Sequence, residues 1–467
     1  MLNVFNSRTR KCEMLKINSD KIIKMYVCGI TSYDYCHIGH GRTFIFFDIV
    51  FRYLCYCGYE MQYVRNITDI DDKIISKSLE NNETISDFST RMILQMNKDF
   101  LDLNIITPDY EPRVTENINV IIKLILKLLK KNHAYISNNG DVMFSVDTYP
   151  KYGVFSNQCI ESLKVGARVS RNKNKKNPMD FVLWKISNKN ETHFWNSPWG
   201  IGRPGWHIEC SSMSMSILKD RIDIHGGGKD LIFPHHENEL AQSSCINERF
   251  FVNHWMHTEL VIVKNRKMSK SLGNVLLLKD LLKRYDSESI RFFLLSTHYR
   301  HPLYFCEKKL KNSEILLKKL YSSLKDVNFY KLNVLEHYEF LKVKFCSALN
   351  NDFNTPEALS ILLNISHKIN LLKLKYDHDD DRIVNLAYIL RELGNVLGIL
   401  LKNPKYFFQR YDQFCSNEID NINNLIQKRN NARRVKNWMY ADEIRKNLSK
   451  LGIVLEDSKL NTFWRKK

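Results

Sequence analysis

The amino-acid sequence predicts an α/β protein: a doubly wound parallel sheet with an insertion, followed by an α-helical bundle and a small C-terminal α+β module. Residues 1–110 alternate between strand-like and helix-like apolar patterns, and this alternation resumes at Pro198. Beyond residue 275, leucine and isoleucine recur at helical spacing through most of the chain. Alternating strands and helices are typical of a parallel sheet, and the long helical region predicts a separate bundle.

Composition restricts the kinds of protein that this chain can be. A length of 467 residues suggests about two to four domains, and the formal net charge of +19 makes a polyanionic partner such as nucleic acid plausible. A general richness in Lys, Asn and Ile would also raise the charge. Eleven irregularly spaced cysteines favour a reducing compartment over a disulfide framework. The sequence has neither a signal-peptide pattern nor an apolar run of membrane-spanning length, so we expect a cytoplasmic protein with no membrane partner.

A turn rich in glycine and histidine lies between the first long strand and the first helix. Lys24–Cys28 alternates as a strand does, and apolar residues from Arg42 onward follow helical spacing. His37-Ile-Gly-His40 therefore lies at the carboxyl end of a strand and at a helix N-terminus, where open α/β sheets bind ligands and free N–H groups favour phosphate. Two histidines that merely cap a helix are the alternative interpretation.

The next elements follow the same α/β order. Met61–Thr68 predicts a second strand parallel to the first, and residues 113–132 predict an amphipathic helix. From residue 133, short strands, turns and a basic run at 168–176 indicate an insertion. A helix is then predicted through Ile217 and a strand at Asp223–Gly228.

The remaining elements lead from the sheet into the helical region. A further helix is predicted with Pro234 near its first turn, and a single strand is predicted over residues 255–263. In the helical region, Thr355 is expected to cap a helix that has Pro356 at its first position. A polar stretch near 403–418 suggests a hinge, and the last module is expected to hold two charged helices and a hairpin-like end.

Four side chains with metal-ligating chemistry are predicted to lie at the mouth of this sheet. Cys28 ends the first long strand, Cys210 lies at the start of a later helix, and His235 and Glu239 are four residues apart on one helical face. Two cysteines, one histidine and one carboxylate suit tetrahedral Zn²⁺. Spacing alone does not settle the site, because 11 cysteines and 15 histidines allow chance combinations. His236 and Cys36 are rival ligands.

The histidine turn, taken together with the late segment Lys267-Met-Ser-Lys-Ser271, is typical of the class I aminoacyl-tRNA synthetases. Over essentially its full length, the chain resembles the bacterial cysteinyl-tRNA synthetases. The segments that carry this resemblance are residues 26–31, 37–40, 66–73, 203–210, 223–228, 233–239 and 267–271. The sequence departs from the family pattern at 172–177 and 325–345, where no motif lies.

The resemblance implies roles for individual residues, which are expectations at this point. It implies one Zn²⁺ per chain on Cys28, Cys210, His235 and Glu239, with the thiolate of the substrate completing the site. It assigns His37, Gly39, His40 and Lys270 to ATP binding, and Gly29, Thr68, Trp206 and Asp230 to the cysteine pocket. His37, His40, Lys267 and Lys270 are the expected catalytic residues.

The implied reaction is the ATP-dependent activation of L-cysteine and its transfer to tRNA(Cys), with Mg²⁺ accompanying ATP and the protein acting as a monomer. The main alternative is a ligase that joins cysteine to an amine acceptor other than tRNA. A nucleic-acid-binding protein without catalysis and a zinc hydrolase are further alternatives. The histidine and lysine motifs argue against a nucleic-acid-binding protein without catalysis. A metal site whose positions are all filled by protein ligands argues against a zinc hydrolase.

The C-terminal module is the expected site of tRNA recognition, because members of this family recognise the anticodon with their C-terminal regions. Arg433, Arg434 and Lys436 are cationic, and Trp438 offers a flat ring on which an unstacked base can lie. The competing interpretation is a charged helical hairpin in which Trp438 packs into a small core. The residues alone favour this second interpretation, and the resemblance favours the first.

The domain boundaries that we predict follow from these patterns. They are a Rossmann-like catalytic half at 1–110, a connective insertion at 111–200, a second catalytic half at 201–255, a region carrying the lysine motif and contacting the tRNA stem at 256–310, a helical bundle at 311–403 and the C-terminal module at 418–467.

Overall fold

The computed structural model describes residues 2–16, 22–158, 174–187, 194–219, 221–247, 251–268, 273–329, 338–409, 416–457 and 462–466. The chain divides into two compact units, each described below by itself. The first comprises Met1–Glu314, Phe340–Ile361 and Val396–Gly398. The second comprises Ile315–Glu339, Leu362–Asn395 and Ile399–Lys467. No helix in these described stretches is both long enough and apolar enough to span a membrane.

The strands of the described residues, in chain order, are β1 (Asn3–Asn6), β2 (Lys11–Met14), β3 (Ile22–Thr31), β4 (Glu60–Thr68), β5 (Ala134–Ile136), β6 (Val142–Phe144), β7 (Phe181–Ile186), β8 (Gly202–Pro204), β9 (Arg221–Gly228), β10 (Phe251–Thr258), β11 (Val261–Val263), β12 (Arg266–Lys267), β13 (Leu303–Phe305), β14 (Ile453–Asp457) and β15 (Thr462–Lys466).

The helices are α1 (Ile38–Tyr56), α2 (Asp72–Glu80), α3 (Ile85–Asp102), α4 (Ile118–Lys130), α5 (Trp206–Leu218), α6 (Glu237–Ile246), α7 (Leu278–Arg284), α8 (Ser287–Leu295), α9 (Glu307–Leu324), α10 (Glu339–Asn350), α11 (Thr355–Lys373), α12 (Asp381–Val396), α13 (Pro404–Gln409), α14 (Ser416–Arg434) and α15 (Trp438–Lys450). A helical turn at Ile232–His236 leads directly into α6 and contains a cis peptide bond between Phe233 and Pro234.

The centre of the first unit is a parallel sheet of four strands in the order β10-β9-β3-β4. Strand β3 is almost continuously apolar and buried, as expected of a parallel strand covered on both faces. It pairs with β4 on one side and with β9 on the other, so the strand order reverses between β3 and β9. This reversal is where open α/β sheets form a ligand-binding crevice. The predicted parallel pairing of the first two long strands is confirmed.

Helix α1 covers this sheet and begins earlier than its apolar spacing indicated. It starts at Ile38, immediately after His37, because the side chain of His37 caps it. The six apolar positions on which the helix prediction rested are all buried: Phe44, Phe47, Ile49, Val50, Tyr53 and Leu54. The ring of Phe47 lies so close to β9 that a Cβ on Gly226 would approach its Cζ to 2.0 Å. Glycine is therefore required there for the helix to pack on the strand.

Three local predictions were wrong. The single strand predicted over 255–263 is two strands, since β11 leaves the sheet of β10 and pairs with β13 instead. The helix predicted from residue 113 begins at Ile118, because residues 110–114 hydrogen-bond along the edge of β4. The cap of α11 is Asn354, whose Oδ1 accepts from the N–H of Glu357 at 3.3 Å, whereas the hydroxyl of Thr355 donates to Leu295.

The predicted insertion, residues 111–200, contributes β5, β6 and β7 to an antiparallel sheet in the order β5-β6-β7-β8. The fourth strand, β8, lies just beyond the predicted end of the insertion. Its buried aromatic residues, Phe144, Phe181 and Trp184, join one core with the apolar face of α4. Most of the basic run at 168–176 lies outside the described residues. The chain that leaves β8 then reaches the central crevice at Trp206.

The second unit is mainly helical and ends in an α+β module, as predicted. Helices α14 and α15 pack on the hairpin β14-β15 around Ile426, Leu448 and Trp464. The guanidinium of Arg429, which is 3% exposed, donates to both carboxylate oxygens of Asp457 at 2.8 and 2.7 Å. In the stretch interpreted as a hinge, residues 404–409 form α13, and residues 410–415 lie outside the described part of the chain.

Candidate functional site

A cavity of about 320 Å³ opens at the carboxyl ends of the parallel strands, where the strand order reverses. Seven residues that the sequence analysis singled out line it: Cys28, Gly29, His37, Gly39, His40, Trp206 and Asp230. Lining residues that the sequence analysis missed include Tyr33, Thr43, Lys73 and the run Thr258–Val261. The cavity therefore joins the histidine turn to the end of β3 in one space.

The histidine turn both caps α1 and lines the cavity, so the two interpretations of it are compatible. The Nδ1 of His37 accepts from the N–H of His40 at 3.2 Å, and the Nδ1 of His40 accepts from the N–H of His37 at 3.3 Å. The two rings stack with centroids 3.6 Å apart. Burial, and then the neighbouring His37, lower the pKa of His40 well below its usual value. A neutral ring whose Nδ1 accepts a hydrogen bond carries its proton on Nε2.

The lysine motif is only partly within the described residues. Lys267 ends β12, where its backbone pairs with Ile262 of β11, and Lys270 lies outside the described residues. Met268 lines the cavity, and its Cε would lie 3.2 Å from a Cβ placed on Gly39. The histidine turn and the lysine motif therefore meet at one side of the cavity.

The chain that follows the lysine motif returns to the histidine turn. The N–H of Ile38 donates to the carbonyl of Leu276 at 2.9 Å, and the N–H of Leu278 donates to the carbonyl of Cys36 at 2.8 Å. These two bonds hold the chain downstream of the lysine motif against the first turn of α1.

The four predicted metal ligands come together in the core beneath Cys28. One ligand atom from each of Cys28, Cys210, His235 and Glu239 lies within 4.8 Å of the others. The thiol of Cys28 lies 3.7 Å from Sγ of Cys210 and 3.2 Å from Oε1 of Glu239. Nε2 of His235 is 3.0 Å from the same Oε1. All four side chains are buried, with exposures of 2–4%, and the set contains the soft thiols and the imidazole that Zn²⁺ prefers.

A second overlapping set includes two histidines, one of which the sequence analysis did not assign. Cys28, His225, His236 and Glu239 also satisfy the distance condition for a metal site. Nε2 of His225 lies 3.1 Å from Oε2 of Glu239, and Nε2 of His236 lies 3.3 Å from the sulfur of Cys28. His236 was named as a rival ligand and His225 was missed. The other rival, Cys36, is buried but belongs to neither group.

The electrostatics of the cluster suit a cation. Burial raises the pKa of the Cys28 thiol well above its usual value, and Cys210 and Glu239 raise it further. At Cys210, burial is outweighed by the hydrogen bond from Cys28 and the charge of His235, so its pKa falls to about 6. Burial of Glu239 is likewise outweighed by His225 and His235, which lower the pKa of the carboxyl well below its usual value. A divalent cation would displace the remaining thiol proton, as metal binding to cysteine does generally.

The residues expected in the cysteine pocket fall into two groups. Gly29, Trp206 and Asp230 line the cavity, and the ring of Trp206 lies 4.5 Å from that of His235. Thr68 is 2% exposed and is not among the described residues that line the cavity. Its hydroxyl donates to Oε2 of Glu209 at 2.8 Å instead. Thr68 therefore bonds to the residue that precedes Cys210 in the sequence instead of facing the cavity.

The C-terminal residues expected to contact tRNA surround the junction of α14 and α15. Trp438 is 57% exposed, so the interpretation in which it packs into the core of the module is wrong, and the buried indole is that of Trp464. Arg434 and Lys436 are exposed. Arg433 is partly buried, and its Nη1 lies 3.0 Å from Oδ2 of Asp457.

Comparisons with known proteins identify the family to which the chain belongs. A model described as the class I (C) tRNA synthetase catalytic domain matches residues 14–315. A DALR domain model matches residues 344–402, and a model described as the cysteinyl-tRNA ligase anticodon binding domain matches residues 420–465. A protein of Buchnera aphidicola subsp. Baizongia pistaciae named cysteine–tRNA ligase is 60% identical over 465 residues, which is 100% of this chain and 99% of that protein. The chain belongs to the cysteine–tRNA ligase family.

Other relatives extend this result. A Histophilus somni protein also named cysteine–tRNA ligase is 49% identical over 468 residues, and the match covers 100% of this chain and 100% of that protein. The structure of Mycobacterium tuberculosis methionyl-tRNA synthetase with methionyl-adenylate has a TM-score of 0.57 at 12% identity, covering 80% of this chain and 90% of that one. That likeness shows a shared class I fold and nothing finer. The cysteine–tRNA ligase relatives give no support to a non-tRNA acceptor.

Proposed function

We propose that the protein activates L-cysteine with ATP and transfers the cysteinyl group to tRNA(Cys). The carboxylate of cysteine attacks the α-phosphorus of ATP, giving cysteinyl-adenylate and pyrophosphate. The 2′-hydroxyl of the terminal adenosine of tRNA then attacks the carbonyl carbon, and AMP leaves. The observation that carries the proposal is one cavity that has His37 and His40 on one side and Cys28 of the buried cluster on another.

At the cysteine end, the residues of the cluster fit a bound zinc ion. Cys28, Cys210, His235 and Glu239 would hold one Zn²⁺, which would bind the substrate thiolate and so favour cysteine over serine, whose hydroxyl is a poorer ligand. Sites built to bond one substrate group reject an analogue that lacks it by about 10⁴–10⁵-fold without editing. Trp206 and Asp230, which line the cavity, would orient the rest of the amino acid.

At the nucleotide end, the chain offers hydrogen-bond donors rather than a covalent nucleophile. With Nδ1 of His37 and of His40 accepting from the backbone, Nε2–H is the ring donor that each histidine would offer to a phosphate oxygen. The N-terminus of α1 adds a favourable field for negative charge. Lys267 and Lys270, with Mg²⁺ on the phosphates, would neutralise the charge that develops on the leaving pyrophosphate.

The C-terminal module would recognise the anticodon, with Arg433, Arg434 and Lys436 meeting phosphates and Trp438 stacking on a base. The enzyme would act as a monomer in the cytoplasm. Its described cysteines include exposed free thiols at Cys12, Cys55, Cys57 and Cys306, which suit a reducing compartment.

The test is ATP–pyrophosphate exchange on the purified chain, followed by charging of tRNA. Exchange should depend on cysteine and remain at background with serine at the same concentration. Charging should require tRNA(Cys) and should not occur with a tRNA of different anticodon and acceptor sequence. Cysteine-dependent exchange without charging of tRNA(Cys) would favour the alternative, a cysteine ligase for another acceptor. An absence of cysteine-dependent exchange in the zinc-loaded protein would overturn both.

A further inference from the structure

Arg42 joins helix α1 to one wall of the cavity through backbone carbonyl groups. Its side chain is 3% exposed and is not among the described residues that line the cavity. Nη1 donates to the carbonyls of Glu259 at 2.8 Å and Leu260 at 2.9 Å. Nη2 donates to the carbonyl of His298 at 3.1 Å and to that of His301. One guanidinium therefore holds four carbonyls from two separate loops.

The carbonyls that Nη1 holds belong to the wall itself. The run Thr258–Val261 lines the cavity, at the point where the chain leaves β10 and turns into β11. The loop held by Nη2 lies directly behind this wall, because the N–H of Glu259 donates to the carbonyl of Tyr299 at 2.8 Å. The N–H of Leu303 in turn donates to the carbonyl of Leu260 at 3.1 Å. Arg42 thus holds both the wall and the loop behind it.

This wall borders the nucleotide end of the cavity. Thr43, the next residue of α1, also lines the cavity, and its hydroxyl lies 2.7 Å from that of Thr258. His40 lies less than one helical turn before Thr43, so the histidine turn and the wall are held by neighbouring residues of one helix. The wall continues through β11 to β12, whose last residue is Lys267 of the lysine motif.

The bonding pattern requires a guanidinium. Its planar fork presents paired donors in fixed directions, whereas a lysine ammonium is a single point charge on a flexible stem. Burial lowers the pKa of Arg42 to about 10, and the neighbouring Glu259 acts in the opposite direction. The group therefore stays protonated at neutral pH and keeps all its donors.

We propose that Arg42 is a positioning residue for ATP: by holding the carbonyls of Glu259 and Leu260, it fixes the wall Thr258–Val261 against the histidine turn. The inference rests on the proposed function, because it assigns this wall to the nucleotide of the activation reaction. Arg42 touches no substrate in this arrangement. Its loss displaces the wall while leaving Cys28 and the rest of the buried cluster in place.

The experiment compares Arg42→Lys with the wild type in cysteine-dependent ATP–pyrophosphate exchange on full-length, zinc-loaded protein. A displacement of about 1 Å in a positioning element is costly, so we expect the KM for ATP to rise roughly tenfold and kcat to fall. The KM for cysteine and the zinc content should change less than about twofold, since none of the wall residues Thr258–Val261 belongs to either ligand group. Hydrogen exchange should become faster at the amides of residues 259–263 and stay unchanged in β3.

The matched control is Arg291→Lys, which removes a second buried guanidinium of the same unit. Arg291 is 0% exposed, pairs with Asp48 and donates to the carbonyl of Leu397 at 2.7 Å. Among the described residues, its hydrogen bonds go to Leu397, Leu103, Asn104 and Asp48 and not to the wall, so its replacement should lower thermal stability without changing the KM for ATP. If Arg42→Lys does not fold, Arg42→Gln, which retains two amide hydrogens as donors, takes its place.

Three results would overturn the inference. One is an equal rise in the KM for ATP and for cysteine, and another is a change in stability with no change in either constant. The third is failure of both Arg42 variants to fold while Arg291→Lys folds. The hydrogen bonds of Arg42 would then be needed for folding only. A wild type without cysteine-dependent exchange would refute the proposed function itself, and that outcome is visible before any variant is made.

Discussion

The buried cluster beneath Cys28 and the exposed junction of α14 and α15 solve two recognition problems in opposite ways. Each of the four cluster ligands is at most 4% exposed, whereas Trp438 and Met439 at the junction are 57% and 86% exposed. The cluster draws on β3, on α5, on the turn that leads into α6 and on α6 itself, so three separate parts of the sequence contribute its ligands. The junction is one continuous segment, residues 433–440.

This difference reflects the partners that we propose. A thiol is a small group, and distinguishing it from a hydroxyl requires ligands held rigidly and away from water, which only a packed core provides. A folded RNA presents a large charged surface and unstacked bases, which exposed cations and flat rings can meet directly. The first site should therefore fail when one atom is changed, and the second should fail gradually.

The largest effect should follow from changing one sulfur of the cluster. In Cys210→Ser the hydroxyl is a poor zinc ligand, so we expect most of the bound zinc to be lost and cysteine-dependent exchange to fall by roughly 10⁴-fold. Zinc is measured by metal analysis, and the affinity for ATP should change far less than that for cysteine. The matched control is Cys245→Ser, another buried cysteine that lies in neither ligand group. Full zinc occupancy with an unchanged KM for cysteine would remove Cys210 from the site.

Removal of residues 418–467 tests the independence of the second site. Exchange should remain nearly intact, because every described cavity residue precedes this segment. Charging of tRNA should fall by about 10²–10³-fold, since several phosphate and stacking contacts disappear together. With the full-length protein, tRNA affinity should decrease as salt rises, because binding releases counterions from the phosphates. A truncated protein that charges tRNA as well as the full chain would contradict a recognition role for the module.

A single aromatic ring at the junction should contribute less to tRNA binding than the whole C-terminal module does. Stacking of a base on an aromatic side chain contributes about 1–3 kcal/mol, so Trp438→Ala should weaken tRNA binding by roughly ten- to a hundredfold and leave exchange unchanged. Met439→Ala is the control, because the side chain of Met439 is next to Trp438 and is more exposed but has no ring. Equal losses in the two variants would show that the segment acts through apolar area rather than through stacking.

The sequence predicted some features well because local patterns determine them. The position of β3, the apolar face of α1 and the helices of the bundle are readable from local apolar patterns, and so is the position of the histidine turn between a strand and a helix. The alternation expected over Lys24–Cys28 is not seen, because Met25–Cys28 are all buried. The ligand set was harder, because Cys28 and Cys210 are 182 positions apart and meet only through the parallel sheet. Positions in the predicted elements suggested that set but left His236 and Cys36 as rivals, and the resemblance to a family decided between them.

What the sequence did not predict depends on contacts that leave no pattern. His225 lies in β9, and a buried parallel strand is apolar on both faces, so nothing indicated that this ring would point at Glu239. The wall Thr258–Val261 was missed because residues 255–263 appeared as one strand. Arg42 was missed for a related reason: all four of its acceptors are backbone carbonyls, which every residue has.

The smallest expected effect concerns the ion pair that supports the exposed junction. Hydrogen bonds from Arg429 outweigh burial and hold the pKa of the Asp457 carboxyl well below its usual value, with Thr462 and Arg433 contributing. A carboxylate with a depressed pKa stabilises the fold fully above its unfolded pKa of about 3.9, and this stabilisation is lost as the pH falls below that value.

Replacing the carboxylate of Asp457 tests its role in supporting the junction separately from any contact with RNA. At pH 7, Asp457→Asn should destabilise the module by about 1–2 kcal/mol, a modest figure because Asp457 is partly solvated. Protection of the β14 amides in hydrogen exchange on the full chain measures this, and the wild-type advantage should shrink as the pH falls below about 4. Asp442→Asn, an exposed carboxylate on α15, is the control. Since the buried cluster has its own core, zinc content and exchange should not change; a loss of either would show that the two sites are not independent.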